Sequence, residues 1–154
     1  MCSDTTTACR PAPRRSLAER SLLTADIELQ IPFQDVDAAQ IVWHGNYFRY
    51  FEAARAALLR KVGYDYPEMR DSGFAWPLVD ARARFVRPMR YAQWIRIEAG
   101  LVEWENRMKV EYRVTDTENG IRLGRGATVP RCSVPSPWTH GSFSWLARGL
   151  SWIV

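Results

Sequence analysis

The chain has 154 residues, the size of one ordinary domain. Hydrophobic residues make up 47% and charged residues 25%, which allows a packed core and excludes wholesale disorder, collagen, coiled coil and a disulfide scaffold. Lys and Arg number 21 against 17 Asp and Glu, a net charge of +4, yet residues 25–129 hold 15 of each sign. The basic excess therefore sits in the two ends, which argues against a dedicated nucleic-acid domain with a basic stripe on a folded element. No apolar run approaches the ~20 residues that cross a bilayer, so no membrane span is expected. Cys2, Cys9 and Cys132 are odd in number and form no Cys-x-x-Cys. They imply a reducing, cytoplasmic compartment with no structural disulfide and no metal site.

Residues 1–24 carry Thr5-Thr6-Thr7, Pro11, Pro13 and scattered Arg, with no apolar core of a secretory signal, and read as a disordered lead-in. Residues 25–33 alternate: Ala25, Ile27, Leu29, Ile31 and Phe33 fall on one side, the pattern of a half-buried strand. Residues 34–40 show no period and are expected to form a loop. From about Asn46 to Val62, Tyr47, Tyr50, Phe51, Ala54, Leu58 and Val62 recur at helical spacing, with Asn46 able to cap the start and Gly63 the end. The helix is apolar over more than half its girth, so other structure should wrap it. A loop through Pro67 and Gly73 leads to strands at 77–87, 91–104 and 107–116, and the Asn119-Gly120 turn leads to a last strand from Ile121. Strand, buried helix, then four strands is an α+β order, one helix on an antiparallel sheet of about five strands. Residues 130–154 differ from the rest: three Trp, five Ser, three Pro and no Asp, Glu or Lys. Two readings of that tail stand open, a shifted reading frame and a genuine Trp-rich end whose seven-residue Trp spacing is chance.

The chemistry-bearing stretch runs from Phe33 to Tyr47. Asp35 and Asp37 lie in a loop just ahead of a helix start. A helix N-terminus presents free N–H groups and a partial positive charge, which polarise a carbonyl and hold an oxyanion. A carboxylate beside it can attack, or serve as a base for water. Two such aspartates are more often turn and capping residues, and His44 alone is more often structural.

The run Asp35-x-Asp37, Ile41-Val42, Asn46-Tyr47, Tyr50-x-Glu52-x-x-Arg55 and Gly63 resembles the 4-hydroxybenzoyl-CoA thioesterase family of hotdog-fold enzymes, over about residues 25–129. The resemblance implies a hotdog domain at 25–129, with the helix as the sausage in a curved antiparallel sheet. It implies a homodimer or homotetramer with active sites between subunits. It implies hydrolysis of acyl- or aroyl-thioesters of coenzyme A or acyl carrier protein, with no cofactor. Asp37 matches the catalytic carboxylate, as nucleophile or as base. The backbone N–H near His44 matches the carbonyl-polarising group, and its imidazole could bond substrate or Asp37. Gly45, Asn46 and Tyr47 match entrance positions that contact substrate. Glu52 and Arg55, three apart on the helix, are expected to pair as an architectural element.

Two departures stand out: Gln40 replaces the family's usual glycine, and Pro130 interrupts the last strand. Either leaves room for a non-catalytic acyl-thioester-binding or assembly protein on this fold. A hotdog dehydratase, with histidine as base, is a further alternative. Arg82 and Arg84 share a strand face. They read equally as a solvated surface and as a contact for coenzyme A phosphates or a carrier protein's acidic surface. Trp43, Trp76, Trp94 and Trp104 are expected in the core, or lining an acyl pocket.

Overall fold

The computed structural model describes residues 16–74, 76–105 and 107–132. Nine elements follow in order: α1 (Leu17–Arg20), β1 (Leu23–Gln30), a 3-10 turn (Phe33–Asp35), α2 (Asn46–Arg60), α3 (Tyr66–Ser72), β2 (Leu78–Phe85), β3 (Trp94–Glu103), β4 (Lys109–Asp116) and β5 (Arg122–Pro130). The strands form one antiparallel sheet in the order β1-β3-β4-β5-β2. This is the α+β arrangement the resemblance implies, with α2 as its one long helix.

Helix α2 buries Tyr47, Tyr50, Phe51, Ala54, Leu58 and Leu59. The face of the sheet below it is shaped to admit those rings. Phe51 stacks on Tyr112 of β4, with centroids 4.5 Å apart and planes 9° from parallel. The ring also lies against Gly126 of β5, where a Cβ would sit 2.3 Å from Phe51 Cε2 and 2.8 Å from the Arg82 carbonyl. Only glycine lets the helix lie this close. Tyr112 donates to or accepts from Thr128 at 2.7 Å, and burial pushes its hydroxyl up to about 12. Ile95, Ile97, Ala99, Val110 and Val114 fill the space around them.

Helix α2 ends as Gly63 was expected to make it end. Gly63 has φ +66°, its N–H reaches the Arg60 carbonyl at 3.0 Å, and the Tyr64 N–H reaches Leu59 at 3.1 Å. That pair of bonds is a Schellman closure. The helix start differs from expectation. Gly45 precedes the first turn and no side chain caps it. The Asn46 amide instead donates sideways to the Asp35 carbonyl at 3.0 Å.

Other boundaries shift for local reasons. Phe33 leaves the first strand and stands exposed, because the chain turns at Pro32 into the 3-10 turn. Helix α3 occupies the expected loop; Asp65 and Glu68 form a capping box and Gly73, at φ +71°, closes it. Trp43 and Trp94 are about half exposed, not core, whereas Trp76 and Trp104 pack against the core. Pro130 belongs to β5: it is the last strand residue, paired with Leu78. The expected lead-in and tail fall mostly outside the described residues. Within that lead-in, α1 lies across the outward face of the sheet, with Leu17 and Ser21 against Gly100.

Candidate active site

The site is built from the segment between β1 and α2. Val36 and Val42 form an antiparallel bridge, and Ile41 bridges to Arg90. The Asp37 N–H donates to the Ile41 carbonyl at 2.9 Å, and the Gln40 N–H to the Asp37 carbonyl at 2.9 Å. Residues 36–42 are thus a tight hairpin, with Gln40 at φ +58°. A three-residue hairpin loop requires one left-handed residue at this place. Here Gln40 takes the conformation that glycine would take without strain.

Asp35 anchors the hairpin to the helix. Its side chain is 1% exposed. The carboxylate accepts from the Tyr50 hydroxyl at 2.5 Å and from the Arg49 guanidinium, both on the first turns of α2. Its carbonyl accepts from the Trp43 N–H at 2.9 Å and the Asn46 side chain at 3.0 Å. A buried carboxylate needs such partners. Burial, then the bond to Asp35, pushes the Tyr50 hydroxyl far above its ordinary range, and Arg49's own bond to Asp35 raises Arg49.

Asp37 lies two residues further, at the exposed hairpin tip. Its Oδ1 accepts from the Ala39 N–H at 2.8 Å, and its remaining acceptor sites face solvent. Both aspartates therefore do turn and anchoring work. The functional difference between them is accessibility: Asp35 is spent on protein partners and Asp37 is open.

The mouth of α2 is formed by Trp43, His44, Gly45 and Tyr47. The N–H groups of His44 and Gly45 meet no acceptor among the described residues. The Trp43 ring occupies the place of a Gly45 side chain; a Cβ there would lie 2.1 Å from Trp43 Cζ3. His44 stands between Trp43, at 5.0 Å between centroids, and Phe85 of β2, at 6.5 Å. Phe85 meets Tyr47 edge-on at 4.7 Å. Tyr47 is buried, and that burial raises its hydroxyl above the ordinary range. Further along α2, a cavity of about 560 Å³ opens toward α3, lined by Leu59, Met69, Trp76 and Met108. At its edge Arg55 meets Glu52 at 2.6 Å, the expected pair, while Arg55 Nη1 is buried without a partner among the described residues.

Residues 31–132 match the family model described as the thioesterase-like superfamily, which is more than half of the chain. The chain belongs to the thioesterase-like superfamily. A protein of Aquifex aeolicus named "Putative esterase" is 39% identical over 74 residues, 48% of this chain and 58% of that protein. The 1,4-dihydroxy-2-naphthoyl-CoA hydrolase of Thermosynechococcus vestitus is 29% identical over 109 residues, 70% of this chain and 74% of that one. The chain spans about half the length of several curated relatives it matches. Among solved structures, a DHNA-CoA thioesterase from Staphylococcus aureus superposes with a TM-score of 0.74 at 20% identity, over 84% of this chain and 90% of that one, and shows the shared hotdog fold.

In this thioesterase-like fold the expected site residues separate into two groups. Asp37, His44, Gly45, Asn46 and Tyr47 gather around the hairpin and the helix mouth. No hydrogen bond joins Asp37 to His44 among the described residues. Arg82 and Arg84 lie elsewhere, on the outward face of β2, across the sheet from α2. Trp43 and Phe85 flank His44 without having been expected there. The alternation of β2 carries the signal for Phe85: one residue beyond Arg84, it must face the helix. Among the described residues no cluster of His, Cys, Asp or Glu could hold a metal, and no helix is long and apolar enough to cross a membrane.

Proposed function

We propose that this chain hydrolyses acyl- or aroyl-thioesters, with the carboxylate of Asp37 and the N–H groups of His44 and Gly45 as the working groups. Two observations support this reading: an open carboxylate at the hairpin tip and, at the start of α2, two N–H groups that meet no acceptor among the described residues. The thioester oxygen lies against the two N–H groups, where the charge of the tetrahedral intermediate is held. Asp37 attacks the carbonyl carbon or takes a proton from the water that does. When Asp37 attacks, the C–S bond breaks, the thiolate takes a proton from solvent, and a water then hydrolyses the mixed anhydride left on Asp37 and releases the acid. When Asp37 acts as base, the proton it took from the attacking water passes to the sulfur as the C–S bond breaks and the acid is released. The superfamily membership and the hydrolase relative support thioester chemistry, and the aroyl-CoA in that relative's name supports an acyl or aryl donor.

The site is completed by a second copy of the chain in the cytoplasm. Among the described residues, edge strand β2 has no partner on its outer side, and Val79 and Phe85 of the strand and Val86 just after it are exposed at 55%, 49% and 45%. An open apolar edge of this kind is a template for strand pairing. Pairing would bring a partner against Phe85 and so against His44. Gln40 supports the catalytic reading over a disabled binding protein, because it keeps the left-handed hairpin that the family's glycine would give.

The test is thiol release from short, long and aromatic acyl-CoAs. Asp37→Asn is expected to lower kcat at least ~10²-fold with an unchanged circular dichroism spectrum, the scale of losing a central catalytic group. Unaltered turnover in Asp37→Asn would remove Asp37 from the mechanism, and ligand binding without turnover would favour the binding protein. Loss of water from a 3-hydroxyacyl thioester would point to the dehydratase.

A further inference from the structure

The outward face of the sheet, opposite α2, carries a charge pattern that folding alone does not require. Arg84 of β2 stands directly across from Arg125 of β5, and Arg125 directly across from Arg113 of β4. Like charges directly opposed on neighbouring strands destabilise a sheet. Arg113 is relieved by Glu98 at 3.5 Å. Arg84, Arg125 and Arg122 have no ion pair among the described residues. In the next row Arg82 faces Ala127, and Ala127 faces Glu111, so a small side chain leaves a depression between long ones.

Helix α1 turns this face into a groove of about 700 Å³, with Leu17 and Arg20 as one wall. Six arginines line it against a single carboxylate, Glu111. That carboxylate is already claimed by Arg20 at 3.0 Å and Lys109 at 3.1 Å. The groove therefore holds a local positive excess in a chain whose folded part is otherwise balanced. Guanidinium forks match phosphate oxygens in shape as well as charge. Three strands at ~4.8 Å spacing place the three opposed arginines along roughly 10 Å. The volume falls in the range of about 300–1,000 Å³ typical of small-molecule sites.

We propose that this groove binds a polyphosphate, a ligand with at least two phosphate groups set in the Arg84–Arg125–Arg113 row. A walled groove of this size suits a compact anion better than an acidic protein surface. The phosphates could come from the nucleotide part of an acyl-CoA donor, which rests on the thioesterase reading, or from a free polyphosphate, which does not.

Calorimetry on the full chain at low salt tests this with inorganic tripolyphosphate and with adenosine 3′,5′-bisphosphate. Saturable binding that weakens with added salt is expected. Arg125→Gln should weaken it at least ~10-fold, as expected for losing a charge-assisted contact. The same variant should melt higher than the parent without ligand, since it breaks the like-charge row, which shows that lost binding is not lost folding. Absence of binding by both phosphate probes, or an affinity in Arg125→Gln and Arg84→Gln unchanged from the parent's, overturns the proposal. Binding of poly-glutamate with none of tripolyphosphate overturns it in favour of a protein partner. Where turnover is measurable, Arg125→Gln raising KM for an acyl-CoA but not for the matching acyl-pantetheine assigns the site to the donor. Unchanged KM for both, with tripolyphosphate binding lost, assigns it to a free polyphosphate. A chain that turns over nothing still gives the calorimetric result, so the two readings fail separately.

Discussion

The two faces of β4 and β5 share the same backbone and solve opposite problems. Toward α2 the strands present Tyr112, Val114, Gly124, Gly126 and Thr128, and each polar atom there has a partner or each missing side chain admits a ring. Away from α2 the same strands present Arg113, Arg122 and Arg125 in a field of like charge. The inner face is arranged so that removing or adding an atom costs stability. The outer face already carries a cost. Natural sequences break such local rules at sites of function, so the difference separates what holds the fold from what the fold displays. The hairpin repeats the contrast on a smaller scale: Asp35 is buried and satisfied by Tyr50 and Arg49, and Asp37 and Gln40 stand exposed.

The largest effect should come from the buried side. Asp35→Ala leaves the Tyr50 hydroxyl buried without its acceptor and removes the side-chain tie between hairpin and helix, while the bonds to the residue 35 carbonyl remain. Arg49 is half exposed and can return to water, so the loss is that of one buried polar network, not of a fully desolvated ion pair. About 3 kcal/mol of stability is expected, read from denaturant midpoints. An equal loss in Asp37→Ala would erase the distinction between the two aspartates. Gly126→Ala ranks next. Its methyl would meet Phe51 and the Arg82 carbonyl at once, and strand backbone yields less easily than a side-chain tip. About 2 kcal/mol is expected for overpacking of this kind. A neutral Gly126→Ala would mean that α2 does not lie tightly on β5.

The inner face was the legible one. Helical spacing from Tyr47 to Leu58 and alternation in β3 and β4 report burial directly, and Gly63 and Asn119-Gly120 mark their turns by backbone conformation. Helix α3 stayed hidden because it buries no residue and so has no period; its traces are Asp65, Pro67, Glu68 and Gly73 at the ends. Asn46 looked like a cap because capping is local, whereas its actual partner, the Asp35 carbonyl, is supplied by a loop folded back across the chain. Arg82 and Arg84 were visible as a pair. The row they belong to was not, since Arg84, Arg125 and Arg113 meet only through the register of three strands. Asp37 and His44 were legible from a family pattern and not from their own chemistry, which a turn and an aromatic cluster account for equally well.

The smallest effect should be a gain, and it comes from the exposed side. Gln40 holds φ +58° at the hairpin tip, a conformation that costs a side-chain-bearing residue about 1–2 kcal/mol. Gln40→Gly removes that strain and adds backbone entropy to the unfolded chain, so a net stabilisation of about 0.5–1 kcal/mol is expected. Gln40→Ala keeps the strain and should leave the denaturant midpoint near the parent's, which separates backbone conformation from the lost amide. The hairpin bonds from Asp37 to Ile41 and from Gln40 to Asp37 persist in either variant, so thioester turnover should be preserved in both. If Gln40→Gly instead destabilised the chain while Gln40→Ala did not, the left-handed turn would be wrong and with it the placement of Asp37. A gain in stability with a loss of turnover confined to Gln40→Gly would show that a stiff tip, and not merely the right turn, is what holds the carboxylate in place.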